Sequence, residues 1–112
     1  MKLPNAQAAV VAQEKVCDYL LHAAHPDNGG KATFFQALGF SREQWPALAV
    51  ALRKLAAAAD TTEGLESPHG RKYVLDGQIE SPSGRTPAIR TIWIVDAGQD
   101  APRLVTAYPR EE

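Results

Sequence analysis

Cysteine is almost missing from this chain. Cys17 is the single one, so no internal disulfide can form, which fits a reducing compartment. On the first helix it reads as a buried residue rather than a nucleophile. The histidines are also few, His22, His25 and His69. No paired-cysteine or His-Glu-x-x-His spacing exists, and the proline after His25 takes that residue off the helix carrying His22. Neither a metal nor another cofactor is expected. No apolar run approaches the ~20 residues of a membrane helix. The start, Lys2 followed by Pro4, Asn5 and Gln7, has no apolar signal core. The chain opens on Met1, reads as complete and is expected to be cytoplasmic, with no membrane partner. An excess of one charge is lacking too: 12 Lys and Arg stand against 13 Asp and Glu, a formal net charge of -1. Proteins that coat nucleic acid are strongly basic. DNA-specific binding is therefore not expected, whereas an enzyme that visits RNA through a local cluster of cations remains compatible.

Familiar catalytic signatures are absent as well. Gly29-Gly30-Lys31 looks like the end of a phosphate loop, but the first glycine, the hydroxyl after the lysine and the preceding strand are missing. No serine sits in a Gly-x-Ser-x-Gly setting. The acids cluster in the 60–66 stretch and at the C-terminus, where solvation explains them better than paired carboxylate chemistry.

What is present is enough apolar residue, 45% of 112 residues, for one ordinary globular domain. The pattern predicts an α+β fold, with about three N-terminal helices (about 1–60) packed on a C-terminal antiparallel meander of about four strands (about 69–109). Val16, Tyr19, Leu20 and Ala23 share a helical face, predicting a helix from about Ala12 to Ala23 that stops before His25-Pro26. Residues 26–30 form a turn by composition. A short helix from Lys31 to Leu38 carries Phe34, Phe35 and Leu38 inward and ends at Gly39. Ser41 and Gln44 fit a capping box, with Phe40 and Trp45 as its staple. Pro46 delays or bends that helix, which runs to about Ala59 with Leu48, Leu52 and Leu55 inward. Asp60 to Gly70 is polar and reads as a connector. Tyr73 and Leu75 alternate with Lys72, Val74 and Asp76 in a strand. Ile89 to Val95 makes the central strand and Arg103 to Tyr108 the last, with turns at 81–84 and 96–100.

Few residues stand out chemically. His25 lies in a turn and titrates near neutrality, so it suits proton transfer; the alternative is a turn histidine bonded to a nearby carbonyl. Lys31, at the start of a helix after Gly-Gly, is either a phosphate contact or a solvated lysine. Arg85, Arg90 and Arg103 come from the sheet, with His69, Arg71 and Lys72 at its start. These cations either form a site or pair across strands with Asp76 or Glu80. Alternation puts Arg90 with Ile92 and Ile94, Thr91 with Trp93 and Val95, and Leu104 with Thr106 and Tyr108. It does not say which face meets the helices.

The segments Leu3-Pro4-Asn5, His25-Pro26, Gly30-Lys31-Ala32 and Leu38-Gly39-Phe40 carry a resemblance. So do Gly70-Arg71-Lys72-Tyr73, Pro82-Ser83-Gly84-Arg85, Thr91-Ile92-Trp93 and the 103–108 strand. Together they resemble, from Leu3 to Pro109, an uncharacterised bacterial domain family of unknown function. Its members occur as small free-standing proteins and as C-terminal tips of polymorphic toxins. The layout is also similar to the barnase, EndoU, colicin and RelE-type fold of metal-independent ribonucleases. That likeness implies an endoribonuclease in which the ribose 2′-hydroxyl attacks the adjacent phosphate. It implies catalytic roles for His25, Lys31, Arg90, Thr106 and Tyr108, with Lys72, Arg85 and Arg103 binding substrate. RNA and a cognate immunity or antitoxin protein would be the partners. The competing reading is a non-catalytic interaction module, an immunity or antitoxin-like partner of a neighbouring small protein.

Overall fold

The computed structural model describes residues 2–22, 24 and 30–110. After a 3-10 turn at Ala6–Ala8, helix α1 begins at Gln13–Lys15 and continues as a π-helical turn, Val16–Leu20. The slip is visible in the Leu21 N–H, which bonds the Val16 carbonyl five residues back at 2.8 Å. Val16, Cys17 and Leu20 are buried. The helix ends at Leu20, earlier than the periodicity predicts, because Leu21 leaves helical geometry at φ -108 and ψ 12. Ala23 and residues 25–29, which hold most of the predicted turn, lie outside the described residues.

Helix α2 covers Lys31–Ala37, with Gly30 before it and Gly39 after it at φ 85 and φ 95. Both are left-handed conformations that suit glycine. A Cβ on Gly39 would lie 2.9 Å from the Pro82 Cβ, so that glycine also lets the 81–84 turn close over the helix end. Phe35 and Leu38 point into the core, as predicted, and Phe34 packs against it. Helix α3 covers Trp45–Ala58. The capping box predicted at Ser41 does not start it. Ser41 Oγ accepts the Gln44 N–H at 3.3 Å, but Gln44 is the N-cap and Pro46 sits in the first turn, where it costs no intrahelical bond. Leu48, Leu52 and Leu55 are buried, as expected.

The sheet is a four-stranded antiparallel meander in the order β1 (Thr61–Ser67), β2 (Gly70–Gln78), β3 (Ala88–Asp96) and β4 (Arg103–Pro109). The α+β prediction therefore holds. The predicted connector from Asp60 to Gly70 does not, since most of it is β1. That strand pairs by its backbone along β2 while its side chains stay exposed, so it offers no apolar alternation to read.

The helices cover the face that carries Leu75, Ile89, Thr91, Trp93 and Ala107, all buried. Gly77 shares this face, and a Cβ there would stand 3.2 Å from Leu55 Cγ, so α3 passes close over β2. Within the core Trp93 Nε1 donates to Thr91 Oγ1 at 2.9 Å, and that hydroxyl donates to the Leu75 carbonyl at 3.0 Å. Arg90 and Ile92 look the other way. One alternation fails: Thr106 pairs with Ile92 while Leu104 pairs with Trp93, leaving Val105 as an extra residue. This bulge turns Leu104 into the core and leaves Thr106 and Tyr108 on the opposite face. Beside β4, Val10 forms a parallel bridge to Arg103, with Val10 N–H to Pro102 O at 2.8 Å and Leu104 N–H to Val10 O at 3.0 Å. Among the described residues no helix is long and apolar enough to cross a membrane.

Candidate active site

The outer side of β4 gathers most of the chemistry. The bulge at Val105 presents Thr106 and Tyr108 beside Ile92 and Arg90 of β3. The π-turn of the first helix presents Tyr19 to the same place, and its hydroxyl lies 3.4 Å from Thr106 Oγ1. Helix α2 brings Lys31, whose Nζ stands 5.5 Å from the Tyr19 ring centre and 6.0 Å from that of Tyr108. Lys15 adds a second ammonium 5.1 Å from the Tyr19 ring. Gly30, Lys31, Tyr108 and Pro109 line an open hollow of about 420 Å³.

The electrostatics follow from these positions. Burial pushes the Tyr19 phenol up, but the hydrogen bonds with Thr106 and Lys31 and the charges of Lys31 and Lys15 outweigh it. The net result is a pKa below the ordinary tyrosine value. A phenol in this setting gives up its proton more readily than a solvated one, which leaves more phenolate at a given pH.

Arg90 is placed beside this cluster and is engaged. It meets Asp76 through Nε to Oδ1 at 2.8 Å and Nη2 to Oδ2 at 2.9 Å. Arg110 approaches the same carboxylate at 3.5 Å. The Asp76 side chain is only 6% exposed, so its charge is held by these two guanidiniums. The Arg90 hydrogen bonds, and the charges of both guanidiniums, keep its carboxyl below the usual range despite burial. Asp76 in turn raises the already high pKa of Arg90.

The remaining predicted residues are distributed elsewhere. Lys72 and Arg103 both pair with Ile94, toward the far end of the outer face from the Arg90–Tyr108 pair. Arg103 is joined to Asp96 at 2.6 and 3.0 Å. Arg85 is exposed in the β2–β3 loop, its carbonyl accepting from Ser81 Oγ at 2.7 Å. His25 lies outside the described residues. Of the predicted set, the structure thus brings together Lys31, Thr106 and Tyr108, with Arg90 adjoining. Sequence reasoning missed Tyr19, because it shares a helical stripe with Val16 and Leu20 and reads as core. A phenol interrupting an aliphatic stripe was the available signal.

Two other surfaces have shape. An apolar groove of about 640 Å³ runs between α3 and residues 78–82, floored by Phe40, Leu55 and Ile79 and flanked by the exposed Val50. Cys17 lines a shallower hollow with Asp18 and Arg42. Burial raises its thiol pKa, and Arg42 offsets only part of this. Among the described residues, no group of His, Cys, Asp and Glu could hold a metal ion.

Comparison with known proteins gives three findings. The profile of a family described as "Domain of unknown function (DUF6883)" matches residues 2–111. No curated protein matches the sequence. Among solved structures, one similar chain comes from a contact-dependent growth inhibition toxin–immunity protein complex of Klebsiella pneumoniae 342. The match has a TM-score of 0.76 at 15% identity and covers 96% of this chain and 97% of that one. At that identity the likeness is one of fold.

Proposed function

From a chain that belongs to the DUF6883 family of domains of unknown function, with the geometry at β4, we propose an endoribonuclease toxin domain that needs no metal. The observation that carries this reading is the convergence of Lys31, Tyr19, Thr106 and Tyr108, with Arg90 adjoining, beside an open hollow that Lys31 and Tyr108 line. Cations and hydroxyl donors together are what a phosphate needs as charge builds on its oxygens. The ribose 2′-hydroxyl attacks the adjacent phosphate, a cyclic phosphate forms, and the 5′-oxygen leaves. Lys31 contacts the phosphate, and Arg90 reinforces it from its anchored position on Asp76. Thr106 and Tyr108 orient the substrate. His25 serves as acid or base, a role assigned from its sequence setting. The fold shared with a chain of a toxin–immunity complex supports a place in such a system. A toxin of this kind requires a cognate immunity protein, and acidic groups on that partner would suit a cationic cleft.

The test is incubation of the purified protein with total and transfer RNA in the presence of chelator, beside His25→Ala and Lys31→Ala variants. Discrete cleavage that is lost in both variants is the expected result. Cleavage that survives His25→Ala removes that residue from the mechanism. No cleavage across a range of pH and protein concentration overturns the enzyme.

A second reading has its own support. Arg90 and Arg103 are both neutralised by carboxylates, and the largest groove described is apolar rather than cationic. Those features favour a protein-binding module, an immunity or antitoxin-like partner, and recovery of a stable complex with a neighbouring small protein would support it.

A further inference from the structure

Tyr19 is a residue that neither the family match nor the fold likeness assigns, and its surroundings differ from those of an ordinary half-buried tyrosine. Three elements converge on it. Its own helix delivers it from a π-turn and adds Lys15 one turn earlier. Helix α2 contributes Lys31, whose Nζ lies 5.5 Å from the centre of the Tyr19 ring. Strand β4 contributes the Thr106 hydroxyl at 3.4 Å, placed there by the Val105 bulge. Both irregularities, the π-turn and the bulge, are of the kind proteins retain at working sites.

We propose that Tyr19 is the general base of the cleft, taking the proton of the ribose 2′-hydroxyl, with Lys31 and Thr106 holding its oxygen in the reactive form. The inference rests on the ribonuclease reading above. In the step, the Tyr19 phenolate oxygen gains the 2′ proton as the 2′-oxygen forms its bond to phosphorus. The bond from phosphorus to the 5′-oxygen breaks, and that oxygen takes a proton from water. The products are a 2′,3′-cyclic phosphate and a 5′-hydroxyl. The phenol then returns its proton to solvent, which balances the one the 5′-oxygen took.

The physical case is one of charge placement. A phenolate is a competent base near neutral pH only when cations lower its cost. Among the described residues, charged or titratable groups around the ring include Lys15 from its own helix and Lys31 from α2, with Tyr108 of β4 beyond Lys31. Both lysines act in the required direction, and the depressed phenol pKa is consistent with that. Lys31 thereby does two things at once, stabilising the base and meeting the phosphate.

The test joins kinetics to spectroscopy on the full chain. RNA cleavage by the wild type, Tyr19→Phe and Lys31→Met is followed from pH 5 to 9, and tyrosine ionisation is titrated by ultraviolet absorbance. For Tyr19→Phe the expected loss is about 100-fold or more in kcat, with little change in KM. The acid limb of the kcat/KM profile should disappear with it. One of the three tyrosines should ionise before the others in the wild type, be missing in Tyr19→Phe, and move upward in Lys31→Met. A wild type that cleaves RNA while Tyr19→Phe keeps its rate and pH profile overturns the role of Tyr19 and leaves the ribonuclease standing. Absence of an early-ionising tyrosine also overturns it. A wild type that cleaves no RNA overturns both.

Discussion

Arg90 and Asp76 stand opposite each other across β2 and β3 and meet through two hydrogen bonds, at 2.8 and 2.9 Å. The Asp76 carboxyl is held below its ordinary range by those bonds. A carboxylate whose folded pKa is depressed adds stability that is complete above its unfolded value, about 4, and is lost as pH falls through the lower folded value. Asp76→Asn should therefore lower the melting temperature at pH 7. Its deficit should shrink below about pH 4. Thermal unfolding from pH 2 to 7 checks this, and parallel curves for both proteins would refute it.

The buried chain from Trp93 through Thr91 to the Leu75 carbonyl yields a second expectation. Thr91→Val keeps the shape but leaves an indole N–H without its acceptor in a dry core. The cost should be about 1–3 kcal/mol. Thr91→Ser should retain the bond and lose only a methyl group. Urea unfolding of the pair separates the two effects, and equal losses would show that the hydroxyl contributes little.

Gly70 opens β2 at φ 146, and a Cβ there would lie 2.2 Å from the Val95 carbonyl oxygen. Neither the backbone angle nor the space suits a side chain. Gly70→Ala should destabilise by more than about 1 kcal/mol. Gly98→Ala, at φ 81 but with open space around it, should cost less. Chemical denaturation ranks them, and the reverse order would contradict the steric argument.

Cys17 is buried and its thiol pKa is raised. The thiolate is the reactive form, so alkylation of the native protein at pH 8 should run about tenfold or more below the rate in denaturant. Equal rates would mean that the helix opens as fast as the reagent arrives.

The legible parts of the fold are those whose side chains announce their surroundings. Phe35, Leu38 and Gly39 define α2 and its stop, and Ile89 to Val95 define an inner strand. The illegible parts depend on backbone bonding alone. β1 pairs through its peptide groups while Glu63, Leu65 and Glu66 face solvent, so its sequence reads as a connector. The π-turn is a one-residue slip of a hydrogen bond, and hydrophobic periodicity is too coarse to reveal it. The Val105 bulge likewise reverses Leu104 relative to simple alternation. Lys31, Thr106 and Tyr108 could be picked out by residue type, whereas Tyr19 required knowing which way the slipped helix turns it. Whether Arg90 was free or paired likewise rested on register, which put Asp76 opposite it.

The bridge between Val10 and β4 occupies the start of one border of the sheet, and a bridge between Lys2 and Asp60 occupies the approach to β1 at the other. A foreign strand approaching the start of β4 finds peptide groups already engaged by the chain's own leading segment. At the other border β1 offers backbone groups with no further strand beside it in the sheet order. Endless stacking of sheets needs two receptive borders on every molecule. The chain's own leading segment shortens both borders at their starts, and so shortens the edge with which a second molecule could pair.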